Sequence, residues 1–148
     1  MKHYSRGGAL VEFAVVAPIM LTFLIGMIEF GVLVFRFHAT DYAARLAARY
    51  ASVRGADCVN TSACPITGSA LQTYVRGQVQ GLAPNATVSP LWSSPPSSFA
   101  NSPSGCGSGS QNAGCMLTVT VTNPVTVHIP FVSNFSYSLT STSQIIVQ

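Results

Sequence analysis

The stretch RGGALVEFAVVAPIMLTFLIGMIEFGVLVF, residues 6–35, determines how this chain is organised. From Phe13 to Phe35 it carries one charged side chain, Glu29. A helix over those residues would be about 34 Å long at 1.5 Å per residue, and the hydrocarbon core of a bilayer is about 30 Å thick. The stretch therefore predicts a transmembrane helix. Pro18, one turn inside it, is expected to kink the helix or mark its first bend.

A cleaved secretory signal is the competing interpretation of this apolar run. Such a signal has an apolar region of about 7–15 residues, followed by small residues at the cleavage site. The run in this chain is longer, and the residues that follow it are Arg36, Phe37 and His38. The sequence therefore favours a membrane span.

The helix is predicted to continue past the span, because residues 32–54 contain neither proline nor glycine. Apolar residues recur there at three- and four-residue spacing, which predicts a stripe along one helix face: Ala39, Tyr42, Ala43, Leu46, Ala47, Tyr50 and Val53. Gly55 is a plausible stop signal. We expect a transmembrane helix over residues 8–35 and an amphipathic stalk over residues 36–55. The stripe would cover either the chain's own small domain or copies and partners.

Charge is concentrated at the N-terminal end of the chain. Residues 1–57 hold ten of the eleven charged side chains, and Arg76 is the one that remains. Charged residues make up 7% of the sequence, whereas an ordinary domain has about a quarter. Nucleic-acid binding needs clustered Lys and Arg, and most active sites gather titratable groups in a cleft. The composition predicts a protein that is not an enzyme and that has no cofactor and no nucleic-acid partner.

The location of residues 56–148 depends on two signals that disagree. Four arginines follow the span within twenty residues and two basic residues precede it, so the positive-inside rule would place this part in the cytoplasm. However, all four cysteines lie beyond residue 57, and cysteines pair stably in oxidising compartments. We follow the cysteines and expect a small extracytoplasmic domain.

Residues 56–148 have the pattern of an α+β domain. Ser69–Leu82 fits a short helix, and Ala86–Trp92 fits a weak strand interrupted by Pro90. A strand with clear alternation runs over residues 117–121, and Tyr137–Val147 is the last strand. Residues 125–129 keep the alternation across Pro124, which indicates either an edge strand with a bulge or two strands joined by a turn. The predicted fold is α+β: a long N-terminal helix, one short helix and an antiparallel sheet of three to four strands.

The four cysteines permit three pairings. We favour Cys58 with Cys64 and Cys106 with Cys115, because each pair would close a local loop in a domain with a thin core. The second pair lies in residues 93–115, a stretch rich in Ser, Pro, Gly and Asn that predicts a flexible loop. Zinc is the rival interpretation, but the C-x₂₋₄-C spacing and nearby histidines that it needs are missing. We therefore expect no metal.

The residues Arg6-Gly7-Gly8-Ala9-Leu10-Val11-Glu12-Phe13, followed by a long apolar helix, resemble the processing site of type IV prepilins. More closely, residues 6–55 resemble the TadE-like family, pseudopilins of tight-adherence (Flp pilus) systems. The elements that carry the resemblance are VEFA with the following AP, the later IEFG, and the stalk sequence AARLAARYA. They cover a little over a third of the chain.

The resemblance implies roles for particular residues. Residues 1–7 would be a leader, and a prepilin peptidase would cut between Gly7 and Gly8 on the cytoplasmic side. Glu12 and Phe13 would then be the fifth and sixth residues of the mature chain. Glu12 could pair with the new amine of its own or a neighbouring subunit and guide assembly, or it could be a tolerated interfacial residue.

Glu29 lies near the outer boundary of the span, and Arg36 lies two helical turns further on, on roughly the same face. The distance is too long for a direct i,i+4 pair. Glu29 either extends towards the membrane surface or contacts a neighbouring subunit, as Arg36 would.

The function implied by the resemblance is that of a pilin-like, membrane-anchored pseudopilin or minor pilin of a Tad (Flp, type IVb) pilus assembly or secretion system. The expected location is the bacterial inner membrane, with a cytoplasmic N-terminus and a C-terminal domain in the periplasm or in an extracellular pilus. The expected partners are the prepilin peptidase, other Tad pilins or pseudopilins, the inner-membrane assembly platform and the lipid bilayer. The alternative is a bitopic anchored binding module that is not incorporated in a filament.

Overall fold

The computed structural model describes residues 6–56, 58, 64–81, 83, 85–96, 106, 111–128 and 133–147. Two helices precede three strands along the chain. They are α1 (Arg6–Ser52), α2 (Gly68–Gln78), β1 (Thr87–Ser93), β2 (Met116–Val127) and β3 (Phe135–Ile146). The α+β fold predicted from the sequence is confirmed, with a sheet of three strands.

Helix α1 is a single helix of 47 residues that joins the predicted span to the predicted stalk. It ends at Ser52, three residues before the expected stop at Gly55. Pro18 lies inside it, and the Thr22 hydroxyl donates to the Pro18 carbonyl oxygen at 2.8 Å. The helix continues through this point, and the kink at Pro18 remains a prediction.

The three strands form one antiparallel sheet in the order β1-β2-β3, so β2 is central. Its pairing with β3 is unbroken from Met116 opposite Ile146 to Val127 opposite Phe135. The expectation of a bulge or a turn at Pro124 was therefore wrong. The proline is tolerated because β1 pairs with β2 only as far as Thr122. Beyond that point β2 has a single neighbouring strand, and a missing N–H disrupts less.

Alternate residues of β2 build the core against α1. Leu117, Val119 and Val121 are fully buried, and the threonines between them lie on the opposite, partly exposed face. The facing surface of α1 consists of small side chains, which let the helix approach the sheet closely: Ala43, Ala44, Ala47, Ala48 and Ala51. The stripe is therefore covered by the chain's own sheet.

The stripe is rotated relative to the prediction. Tyr42 and Val53, which the spacing assigned to it, are 59% and 53% exposed. Thr40, a polar residue, is buried instead. A closely packed contact between helix and sheet excludes a bulky side chain and selects the neighbouring helix face of smaller residues.

Helix α2 closes the β1 side of the core with Leu71 and Val75. The Thr67 hydroxyl caps its first turn by accepting from the Ala70 backbone N–H at 3.2 Å. The helix ends at Gln78 rather than at the expected Leu82. Gly81 then adopts a positive φ of 81°, a conformation that favours glycine.

An aromatic contact joins α1 to α2. The rings of Tyr50 and Tyr74 stack with centroids 3.6 Å apart. The Arg54 guanidinium lies 3.7 Å from the centroid of the Tyr50 ring on α1. Such contacts add to the stabilisation that buried area alone supplies.

Candidate functional site

The N-terminal half of α1 carries most of the exposed large apolar side chains among the described residues. None of the side chains in its most apolar 18-residue stretch is buried. By length and composition the helix can cross a membrane. Its large apolar side chains include Leu10, Phe13, Ile19, Met20, Phe23, Met27, Phe30 and Phe35. A contiguous surface of this kind marks a membrane or protein contact site.

Glu12 lies in a shallow groove near the beginning of this surface. The other residues of the groove are Gly8, Val11, Val15 and Val16, so the carboxylate is the one charged group in an apolar lining. Within the described part of the chain, Glu12 has no ion-pair partner. A carboxylate in such surroundings is costly in a membrane unless a cation joins it. The arrangement can therefore accept an ammonium or guanidinium group.

Gly7 and Gly8 lie in the first turn of α1. Glycine is less favourable than alanine in a helix by about 1 kcal/mol, and first-turn N–H groups have no intrahelical acceptors. This turn therefore opens more easily than the rest of the helix. A Cβ at Gly8 would have no atom within 4 Å, so packing gives no reason for glycine there. Residues 1–5 of the predicted leader lie outside the described residues.

Glu29 and Arg36 are both half-buried. Their spacing places them on the side of α1 that, further along, packs against the sheet. Neither has an ion-pair partner among the described residues, although the Arg36 carbonyl oxygen accepts from the Thr40 hydroxyl at 2.8 Å. The two roles considered for Glu29 both remain predictions.

Disulfides join Cys58 to Cys64 and Cys106 to Cys115, with Cα atoms 6.1 Å and 5.4 Å apart. These are the pairs favoured by loop length. Cys115 is fully buried immediately before β2, and the Ser94 hydroxyl donates to the Cys106 carbonyl oxygen at 2.9 Å. The second disulfide thus anchors the expected loop to the sheet. Residues 97–105 and 107–110 of that loop lie outside the described residues.

The possible metal ligands are the His, Cys, Asp and Glu side chains of the described ranges. No group of three His, Cys, Asp or Glu side chains comes together there. His128 is exposed just past the end of β2, and its Nδ1 lies 3.1 Å from Asn134 Oδ1.

Contacts between residues distant in sequence fix the position of the sheet along α1, and no sequence pattern predicts them. The Ser141 hydroxyl donates to Asp41 Oδ1 at 3.0 Å, and Asp41 also pairs with Arg45 at 2.9 Å. Asn123 donates from Nδ2 to the Thr40 hydroxyl at 3.5 Å. The alternation of side chains along one strand does not reveal which turn of the helix that strand contacts.

The family model described as TadE-like protein matches residues 7–49. The match covers a little under a third of the chain and spans both the apolar half of α1 and most of the half that packs on the sheet. It confirms the resemblance identified from the sequence. No curated protein and no solved structure shows a significant match to the chain.

Proposed function

From the match of residues 7–49 to the TadE-like family, we propose that the chain is a pilin-like structural component of a Tad pilus assembly or secretion system. Helix α1 holds it in the bacterial inner membrane. The observation that carries the proposal is the division of α1. Its second half packs against the chain's own sheet, and its first half is uncovered and apolar.

Processing by a prepilin peptidase is part of the proposal. The peptidase cuts between Gly7 and Gly8 on the cytoplasmic side, and the domain with the disulfides lies on the other side of the membrane. An extended segment is needed in a protease site, and the glycine-containing first turn is the part of α1 that unwinds at least cost. The exposed α-amine of Gly8 then lies one turn from Glu12 at i,i+4 spacing.

The ammonium group supplied by cleavage suits the Glu12 groove. The pair forms within one subunit or between the N-terminus of one subunit and Glu12 of its neighbour. In the second case it sets the axial register of two apolar helices, which would otherwise slide with little change in van der Waals contact. The other partners are Tad pilins or pseudopilins and the inner-membrane assembly platform.

Mass spectrometry of the N-terminus of the protein from its native membrane tests the processing step. The mature chain is expected to begin at Gly8. Gly7→Val should leave the precursor uncut, because a branched side chain obstructs close approach to the peptidase. Gly8→Ala is the matched control and should still be cut, because a single methyl group is small, and in the folded helix it meets no atom of the rest of the chain within 4 Å. An intact Met1–Gly8 segment in cells with an active peptidase would contradict the proposal.

The role of Glu12 is tested separately by Glu12→Gln and Glu12→Asp. Both variants should be cleaved normally. Glu12→Gln removes the charge and should abolish co-purification with other pilus components, whereas Glu12→Asp should retain it in part. Normal assembly of the Gln variant would remove Glu12 from the mechanism without affecting the membrane anchor.

The alternative function is an anchored binding module outside any filament. It is favoured by the fact that the described core uses α1 only from Ala39 onward, so residues 8–35 could serve as an anchor alone. Replacing residues 8–35 with an unrelated apolar helix of the same length separates the two functions. If the chain is a pilin-like subunit, the replaced protein should no longer assemble with other pilus components. If it is a binding module, the replaced protein should still bind its ligand.

A further inference from the structure

We infer that the sheet makes a second contact with the membrane: the end formed by Phe135 and Tyr137 of β3 lies in the lipid headgroup region beside α1. The inference rests on the proposed role of α1 as a membrane span. It adds a peripheral contact that holds the folded domain at a fixed tilt against the bilayer surface.

The two aromatic side chains form an exposed pair. Their rings stack with centroids 6.4 Å apart and planes 20° apart. Phe135 is 59% exposed and Tyr137 is 55% exposed. They share the helix-facing side of the sheet with the buried Val125. Among the described residues no element covers them, and their apolar surface is exposed.

The direction of β3 relative to α1 follows from two contacts. Ser141 meets Asp41, and Val147 lies close to Gly55, just beyond the end of α1. Between these contacts β3 advances about 20 Å. From Asp41 to Ser52 the helix advances about 17 Å, before the turn that leads to Gly55. The two lengths agree, so β3 runs alongside α1 in the same direction.

The opposite end of β3 therefore points back towards the membrane span. From Ser141 to Phe135 the strand covers about 20 Å, whereas α1 covers only about 9 Å from Asp41 to Phe35, where the apolar run ends. Even at an inclination of about 45° the strand would reach about 14 Å along the helix axis. Tyr137 thus lies near the level of Phe35, and Phe135 lies beyond it.

The chemistry of this end fits lipid headgroups. No charged residue follows Arg76 in the sequence, so no charge on β2 or β3 has to be desolvated, which would be costly near the bilayer. Aromatic side chains, Tyr and Trp above all, are favoured where hydrocarbon meets headgroups. Phe30 and Phe37, which seven-residue spacing places on the same face of α1 as the buried Ala44, are also more than half exposed.

A contact with lipid is favoured over a contact with a second copy of the chain, because the proposed anchor already holds the sheet beside the bilayer. The span fixes the domain beside the bilayer, so the contact costs little further association entropy. An isolated pair of aromatic side chains presents far less area than a stable protein interface needs.

Quenching of tryptophan fluorescence by brominated lipids tests the contact in the full chain reconstituted in phosphatidylcholine vesicles. Phe135→Trp and Tyr137→Trp are the reporters. The native Trp92 is buried and gives a constant background. Leu91→Trp is the matched control, since Leu91 is 54% exposed on β1 and pairs with Thr118, towards the far end of the sheet. Phe23→Trp, near the middle of the span, reports on the anchor.

Bromines near the headgroup end of the acyl chain should quench the Phe135→Trp and Tyr137→Trp signals more than bromines near the terminal methyl group. Phe23→Trp should show the reverse order, and Leu91→Trp should lose no more emission than the parent chain. If Phe23→Trp is quenched but Phe135→Trp or Tyr137→Trp is not, the inference is wrong, whereas the membrane anchor still stands. No quenching at Phe23→Trp would instead overturn the anchor itself.

Discussion

Gly55 shows how a single position can have a role different from the one that its residue type suggests. The sequence predicts it as a helix stop, but α1 ends three residues earlier. Gly55 is buried, and a Cβ there would overlap the backbone oxygen of Gln111 and lie 2.7 Å from Cγ1 of Val147. The Ala56 N–H donates to the same Gln111 oxygen at 2.9 Å. The need for glycine comes from segments far along the chain, which no local pattern reveals.

Gly55→Ala is expected to destabilise the domain by about 1–3 kcal/mol, because the added methyl overpacks a closed contact. Gly77→Ala is the matched control. It lies in α2 with no atom within 4 Å of its would-be Cβ, and it should be neutral or stabilise by up to about 1 kcal/mol. Thermal unfolding of both variants in detergent measures the difference. Equal midpoints would contradict the close approach at Gly55.

At the scale of elements, the sequence located α1 better than it located the face that α1 buries. Composition alone predicted the apolar half of α1 as a candidate span, because apolar content over a length of about 30 Å is a property of one segment. The buried face depends on what packs against it. Tyr42 satisfied the spacing but is exposed, whereas Ala44 and Ala48 are buried. The prediction at Pro124 was wrong for the same reason. A proline is tolerated there because β1 ends before it, and the sequence of β2 does not show where β1 ends.

Ala47→Leu tests the close packing of α1 on the sheet. Ala47 is fully buried in the core, so the larger side chain should destabilise the domain by about 1–3 kcal/mol. Ala14→Leu makes the same change at an exposed position of the same helix and should leave the unfolding midpoint of the domain unchanged. Chemical denaturation followed through the fluorescence of Trp92 distinguishes them. A tolerated Ala47→Leu would show that helix and sheet are less closely packed.

Tyr50 and Tyr74 allow the docking of α2 to be measured. A double-mutant cycle of Tyr50→Ala and Tyr74→Ala should give a coupling energy of about 0.5–1.5 kcal/mol from the stacked rings. Unfolding of the two single variants, the double variant and the parent chain supplies the four values. Strict additivity would mean that the stack contributes nothing beyond the area that each ring buries.

At the scale of the whole molecule, the sequence predicted the fold class and the two parts of α1. The role of Glu12 stays a prediction from motif and spacing, which are local properties. The sequence could not predict which turns of α1 the sheet lies against, since that depends on the alignment of β3 with α1. This alignment is set by Ser141 with Asp41 and by Asn123 with Thr40, contacts between residues far apart in the sequence.

A chain that begins at Arg36 should fold without the membrane segment. The buried core begins at Ala39, and both disulfides lie beyond it. We expect cooperative unfolding and the near-ultraviolet circular dichroism of a packed Trp92 in aqueous buffer. The full chain in detergent is the reference. An expanded or aggregated product with native disulfides would show that residues 6–35 contribute to folding as well as anchoring.

The continuity of α1 from Arg6 to Ser52 has a mechanical consequence. The helix proposed to span the bilayer is also the central support of the folded domain, and no loop separates its apolar half from the half that packs on the sheet. Moving the N-terminal end of α1 along the helix axis by the rise of one residue would move the domain by about 1.5 Å. A force applied along the helix axis at the N-terminal end would therefore be transmitted directly to the sheet.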